Sequence, residues 1–294
     1  ARRAPPLGSP AAPQGPCGRA FGTTDGPFRH IKPKFVEKKR HYNEVLVMAD
    51  VRKLIETTQD VLDQPDHTFP KGFWEVLAKR CLQSMHLLQP LELALVARAF
   101  DLHDVELRSK LDVYGAIAQR ARALHDFPGL AILVLVDVLP RRLKAGTADL
   151  SELLRKLSRR AADAMYELSP SHAVRLLESL TAADIRDPAL CARVSGKVAA
   201  QLAAADAGAD APALGDLASA AAALAGQGHR DIPALFAIAD AVAGRLETAP
   251  EQGCAVEAAE RVLGALNALG VDAPEVVERL QRASSLASET LVAA

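Results

Sequence analysis

The chemistry that stands out in this 294-residue chain is carried by clustered cations. Between positions 141 and 160, seven basic side chains (Arg141, Arg142, Lys144, Arg155, Lys156, Arg159 and Arg160) face only Asp149 and Glu152. A second cluster lies upstream: Arg19, Arg29, Lys32, Lys34, Lys38, Lys39 and Arg40 oppose Asp25 and Glu37, with Phe21, Phe28 and Phe35 interleaved. Phosphate contacts need Arg and Lys gathered on one side of an element, not a fixed spacing. Interleaved aromatics add stacking on bases. Each cluster also has a plainer reading: a solvated helix face for 141–160, and for the arm a linker whose aromatics pack on a neighbouring helix.

Groups able to do covalent or metal chemistry are scattered. The eight histidines form no HExxH or other short ligand pair, and no GxSxG, Walker loop or GxGxxG occurs. Gly226-Gln227-Gly228 reads as a helix stop, and His125-Asp126 as a capping pair before Pro128. Cys17, Cys81, Cys191 and Cys254 lie at least 63 residues apart, which fits reduced, mostly buried thiols better than a metal knuckle or a disulfide framework. The chain is therefore expected to be no enzyme and to need no cofactor or metal.

Composition sets what can position these residues. Hydrophobic residues make up 49% and charged residues 24%, ordinary values for a chain that buries a core. Only 4% is aromatic, and Ala and Leu dominate the apolar set, which favours helix over sheet and predicts an all-α fold. The longest apolar run, Phe127 to Leu139, spans 13 residues and contains Asp137, too short to cross a bilayer. The net charge of −1 hides a gradient: residues 1–87 carry +5, residues 88–204 +2 and residues 205–294 −8. Contact with a polyanion is thus confined to the first two thirds, and the acidic, Ala-rich end is expected to meet protein.

Two interleaved ladders organise the chain beyond residue 88. Pro90, Pro128, Pro170, Pro212 and Pro250 recur at spacings of 38, 42, 42 and 38, each before an apolar run. Proline suits the first turn of a helix, where its missing N–H has no intrahelical partner. Asp104, Asp149, Asp187, Asp231 and Asp272 recur at 45, 38, 44 and 41 and read as caps of second helices. These second helices are expected from Val105 to Leu124, then over about 149–167, 188–205, 232–247 and 273–289. Gly226, Gly228 and Gly270 stop first helices. Two further helices, Tyr42 to Leu62 and Phe69 to Leu88, form a divergent leading unit in which Trp74 is a core residue. The domains are 1–41, a Pro-rich then basic arm; 42–88, the divergent unit; and 89–294, the repeats. The fold expected is an α-solenoid of about five to six helix–turn–helix repeats of roughly 40 residues, an open surface suited to long ligands.

Within the second repeat, Gly129 to Leu139 is apolar nearly all round and should be buried, with Arg141, Arg142 and Lys144 in the loop after it. The next helix turns Leu150, Leu153, Leu154, Leu157 and Ala161 inward, and Arg155, Lys156, Arg159 and Arg160 outward. Residues 1–24 hold five prolines, three arginines and no acid, and this composition resembles an organellar transit segment.

The phrases Leu88-QPLELALVARAF and Leu168-SPSHAVRLLESL resemble repeats of the organellar helical-repeat proteins associated with RAP domains: the FAST-kinase-domain, octotricopeptide and heptatricopeptide types. The resemblance covers residues 88–290. It implies an α-solenoid in mitochondria or chloroplasts that works on organellar RNA or is built into ribosomes there. The α/β RAP pattern is not found at the end of these residues, where Pro274 to about Ser288 reads as helix. That departure favours a fixed part of an assembly over a free RNA binder. The expectation is a mitochondrial matrix protein, reached by removal of a targeting segment: a structural, RNA-contacting subunit, with the mitochondrial ribosome as first choice. The arm and the 141–160 patch would touch ribosomal or other organellar RNA. The rival is a protein-only scaffold or accessory subunit of a respiratory complex or ATP synthase.

Overall fold

The computed structural model describes residues 50–105, 111–143, 148–206, 212–248 and 254–293. The chain divides at residue 32, and every described residue lies in the unit 33–294. Arg29, Lys32, Lys34, Lys38, Lys39, Arg40, Lys144, Pro250 and residues 42–49 fall outside the described residues.

Among the described residues there are twelve α-helices and no strand, so the all-α expectation holds. They are α1 (Val51–Leu62), α2 (Lys71–Ser84), α3 (Pro90–Leu102), α4 (Val113–Ala123), α5 (Gly129–Arg142) and α6 (Ala148–Asp163), followed by α7 (Pro170–Ala182), α8 (Pro188–Asp206), α9 (Leu214–Gly226), α10 (Ile232–Thr248), α11 (Cys254–Ala268) and α12 (Pro274–Ala293). One-turn 3-10 segments, Met85–Leu87 and Met165–Glu167, follow α2 and α6.

Local chemistry accounts for most boundaries. Pro90 and Pro170 open α3 and α7 behind side-chain caps: Gln89 with Glu92 as a capping box, and Ser169 accepting from the His172 N–H. Asp187 accepts from the N–H groups of Ala189 and Leu190, and Asp231 from that of Ala234, as their ladder predicts. Asp104 departs from it. It adopts φ 45° just past α3, while α4 starts later, at Val113, behind Asp112, which accepts from the Gly115 N–H. Asp184 (φ 54°), Gly228 (φ 69°) and Gly270 (φ 60°) occupy the same left-handed place after α7, α9 and α11. At all four sites the next N–H bonds to the carbonyl five residues back: Val105 to Phe100, Ile185 to Leu180, His229 to Leu224, and Val271 to Leu266. Aspartate tolerates left-handed backbone nearly as Asn does, so it can stop a helix where glycine usually would.

Helix α5 is the second departure. Pro140 does not end it, and Arg141 and Arg142 belong to its last turn rather than to a loop. Arg141 Nε donates to the Asp137 carbonyl and Arg142 ties to α3, which together hold the turn past the proline. His125-Asp126 is no cap either. The Gly129 N–H, at the start of α5, donates instead to Glu167 Oε2 at 2.7 Å.

The odd-numbered helices α1 to α11 pack against one another in chain order, and so do the even-numbered helices α2 to α12. Buried Leu, Val and Ala fill the space between, including Leu93, Val96, Ile132, Leu135, Leu154, Leu177, Leu224 and Ile238. Trp74 is buried against Phe69, Phe73 and Phe100, a core residue as expected. Cys81 and Cys191 are buried free thiols, and burial pushes them up to about 12 and about 11.

Two series of polar ties bind successive helices. Along the even row, a cation reaches a backbone carbonyl 32 to 34 residues earlier: Arg120 to Leu88, Lys156 to Arg122 and Leu124, Lys197 to Met165, and Arg245 to Pro212. The first three sites lie at or just beyond the C-terminal ends of α2, α4 and α6, where carbonyls lack intrahelical partners, and Pro212 lies just ahead of α9. Along the odd row, a residue near a helix end reaches back 41 or 42 positions: Nε2 of His103 lies 3.2 Å from the Val61 carbonyl, Arg142 donates to that of Asp101, and Gln227 to that of Ile185.

Candidate nucleic-acid interface

Helix α6 is amphipathic by design of its sequence: Leu150, Leu153, Leu154, Leu157 and Ala161 are buried. Leucines three and four apart share one face, so the residues between them must turn outward. Arg155, Arg159 and Arg160 do so, and none of them has a hydrogen-bond or ion-pair partner among the described residues. Residues four apart on a helix lie about 6 Å from each other, so three unpaired guanidiniums share little more than one turn.

Lys156 is different. Its ammonium donates at 2.6 Å to the carbonyls of both Arg122 and Leu124 and so closes the end of α4. Burial, and then the charge of Arg160, lower its pKa from the ordinary lysine value. The expectation that it faces outward with its neighbours is corrected: its ammonium turns to carbonyls at the end of the preceding even helix, α4.

Arg141 and Arg142 are also engaged within the fold. Arg141 bonds Asp101 and Asp137 at 3.0 and 2.9 Å. Arg142, only 25% exposed, bonds Asp101 at 2.6 Å, the Asp101 carbonyl and Asp104. Burial works against its charge, but the hydrogen bonds to Asp104 and Asp101 hold the guanidinium above its ordinary value. Tyr114 packs near this group, and burial pushes its hydroxyl up to about 12. The seven-residue run therefore separates in space: Arg155, Arg159 and Arg160 form an open ridge, Arg141, Arg142 and Lys156 serve as ties, and Lys144 is outside the described residues.

Two exposed cations that the sequence did not single out, Arg186 and Arg193, lie on elements that pack beside α6. The Ser158 hydroxyl donates to Asp187 at 2.6 Å and draws the α7–α8 loop, with exposed Arg186, against α6. Arg193 is exposed on α8, one turn before Lys197, whose ammonium caps the Met165 carbonyl at 2.8 Å. The readable signal was Ser158 itself, a hydroxyl next to the leucine stripe that needs a partner when buried. Asp149, Glu152 and Asp163 are the exposed acids on α6, and Asp149 is paired with Arg122 at 3.2 Å.

The other end of the even row differs. Arg279 on α12 is clamped by Glu247 and Asp240 of α10, leaving that surface acidic on balance. Among the described residues, no group of three or more His, Cys, Asp or Glu could hold a metal ion. No described helix is long and apolar enough to cross a membrane. A scan against protein-family models gives no match to this chain, and neither does a search of curated proteins.

Proposed function

We propose that this chain is a non-catalytic α-solenoid that contacts RNA through α6 as a structural subunit of a larger assembly, the mitochondrial ribosome first among candidates. Support for the repeat comes from the alternating order of helix packing and the two tie series, whose periods follow the chain unit by unit. The unpaired guanidiniums of Arg155, Arg159 and Arg160 carry the RNA reading. Elsewhere on α5 and α6 the described cations are matched to a carboxylate or a carbonyl. Three like charges in adjacent turns repel one another, so a polyanion is the partner that relieves them. In this reading the basic arm and Lys144 supply further phosphate contacts by their charge. The resemblance to RAP-associated repeats and the acid-free composition of residues 1–24 support a mitochondrial site of action.

The acidic far end favours a second reading, a protein-only scaffold or accessory subunit of a respiratory complex or ATP synthase. Binding of labelled RNA at low salt separates the two. The first reading expects R155E/R159E/R160E to lose at least tenfold in affinity with helix content unchanged. No affinity at low salt, or affinity untouched by the triple reversal, would leave the scaffold alone. Lys156 is kept out of the reversal because it holds α4.

A further inference from the structure

Tyr166 is 82% exposed, and it is the one aromatic among the large, strongly exposed apolar side chains of the described residues. It follows the ridge closely in sequence: Arg160 lies six residues before it, and the 3-10 turn that carries it, Met165–Glu167, begins just past the end of α6 at Asp163.

That turn is held on both flanks of the tyrosine. Met165 is buried, and its carbonyl accepts from both the Lys197 ammonium and the Leu168 N–H. Glu167 is fixed through Oε2 to the Gly129 N–H. Tyr166 thus projects from a braced backbone and not from a loose loop tip. Within the fold the Tyr166 hydroxyl meets the Glu167 carboxylate, while the ring is left in water. The corresponding turn after α2, Met85–Leu87, likewise buries its methionine but places His86 where Tyr166 stands. An aromatic ring left in water forgoes the burial that stabilises every other described Phe and Trp, apart from the half-buried Phe236.

We infer that Tyr166 is a base-stacking platform at the end of the α6 arginine ridge, and that the ridge therefore takes single-stranded RNA in preference to duplex. Arg155, Arg159 and Arg160 hold successive phosphates while one unpaired base lies on the ring. A duplex keeps its bases stacked on one another and offers the ring nothing. Glu167, whose carboxylate meets the Tyr166 hydroxyl, disfavours a phosphate directly over the ring, which leaves the uncharged base as its partner. This inference rests on the RNA reading above.

Fluorescence anisotropy with the full chain tests it, using a labelled twelve-nucleotide oligouridylate and an RNA duplex of equal length. Tyr166→Ala is expected to weaken the single strand about tenfold and the duplex less than twofold, and Tyr166→Phe to bind as the wild type does. If Tyr166→Ala leaves single-strand affinity unchanged while R155E/R159E/R160E abolishes it, stacking is refuted and the arginine contact stands. Equal losses on both RNAs, or a wild type that binds duplex as tightly as single strand, also overturn the inference. If the arginine reversal changes nothing, the RNA reading itself fails.

Discussion

Neighbouring residues on α6 have opposite roles, and that contrast is measurable. Lys156→Met removes the donor that closes two carbonyls at the end of α4, and should cost about 1 kcal/mol in urea denaturation. Arg155→Ala should leave the unfolding midpoint in place, because Arg155 is exposed and has no hydrogen-bond or ion-pair partner among the described residues. Gln227 offers a sharper case. Its buried amide donates to the Thr181 hydroxyl and the Ile185 carbonyl and accepts from the Asp187 N–H. Gln227→Leu would orphan those groups and is expected to cost about 2 kcal/mol. Asp60 supplies a pH signature. Burial first, with Asp63 and Glu56 adding to it against Lys53, pushes its carboxyl up to about 6. The folded chain therefore holds a proton there that the unfolded chain releases near the ordinary value of 3.8, so stability falls as pH rises through that window. Asp60→Asn should be the more stable protein at pH 7, with its advantage vanishing towards pH 4; equal melting temperatures at pH 7 would contradict this.

At the scale of elements, helix starts were legible and partners were not. Proline at the first turn and aspartate at a cap act through groups one to three residues away, so Pro90, Pro170, Asp187 and Asp231 could be read directly. Asp104 misled because one residue type serves both a helix start and a left-handed stop, and only its φ distinguishes them. Lys156, Arg141 and Arg142 misled because all their partners except Asp137 sit 32 to 41 residues away, on helices whose register the spacing alone does not supply. The close approach of α9 to α7 was hidden for the same reason. A Cβ on Gly226 would lie 2.5 Å from Thr181 Cγ2. Gly226→Ala should therefore destabilise by about 1–2 kcal/mol despite the better helix propensity of alanine. Adding Thr181→Ser, which removes the methyl and keeps the hydroxyl bonded to Gln227, should recover most of that loss in a double-mutant cycle.

Across the whole molecule, an alternating order of helix packing goes with a division of surface charge. The even row presents unpaired arginines at α6, whereas Arg279 of α12 is matched by Asp240 and Glu247 of α10. The ladders made the order of elements visible, and the charge gradient indicated which end would face a polyanion. The separation of open cations from structural ones required the packing. Ultraviolet cross-linking of the native assembly, isolated from organelles through a tag on this chain and read by mass spectrometry, addresses the central claim most directly. The account expects RNA adducts on peptides spanning Arg155 to Tyr166. An assembly of native size in which those peptides cross-link to protein alone would contradict it.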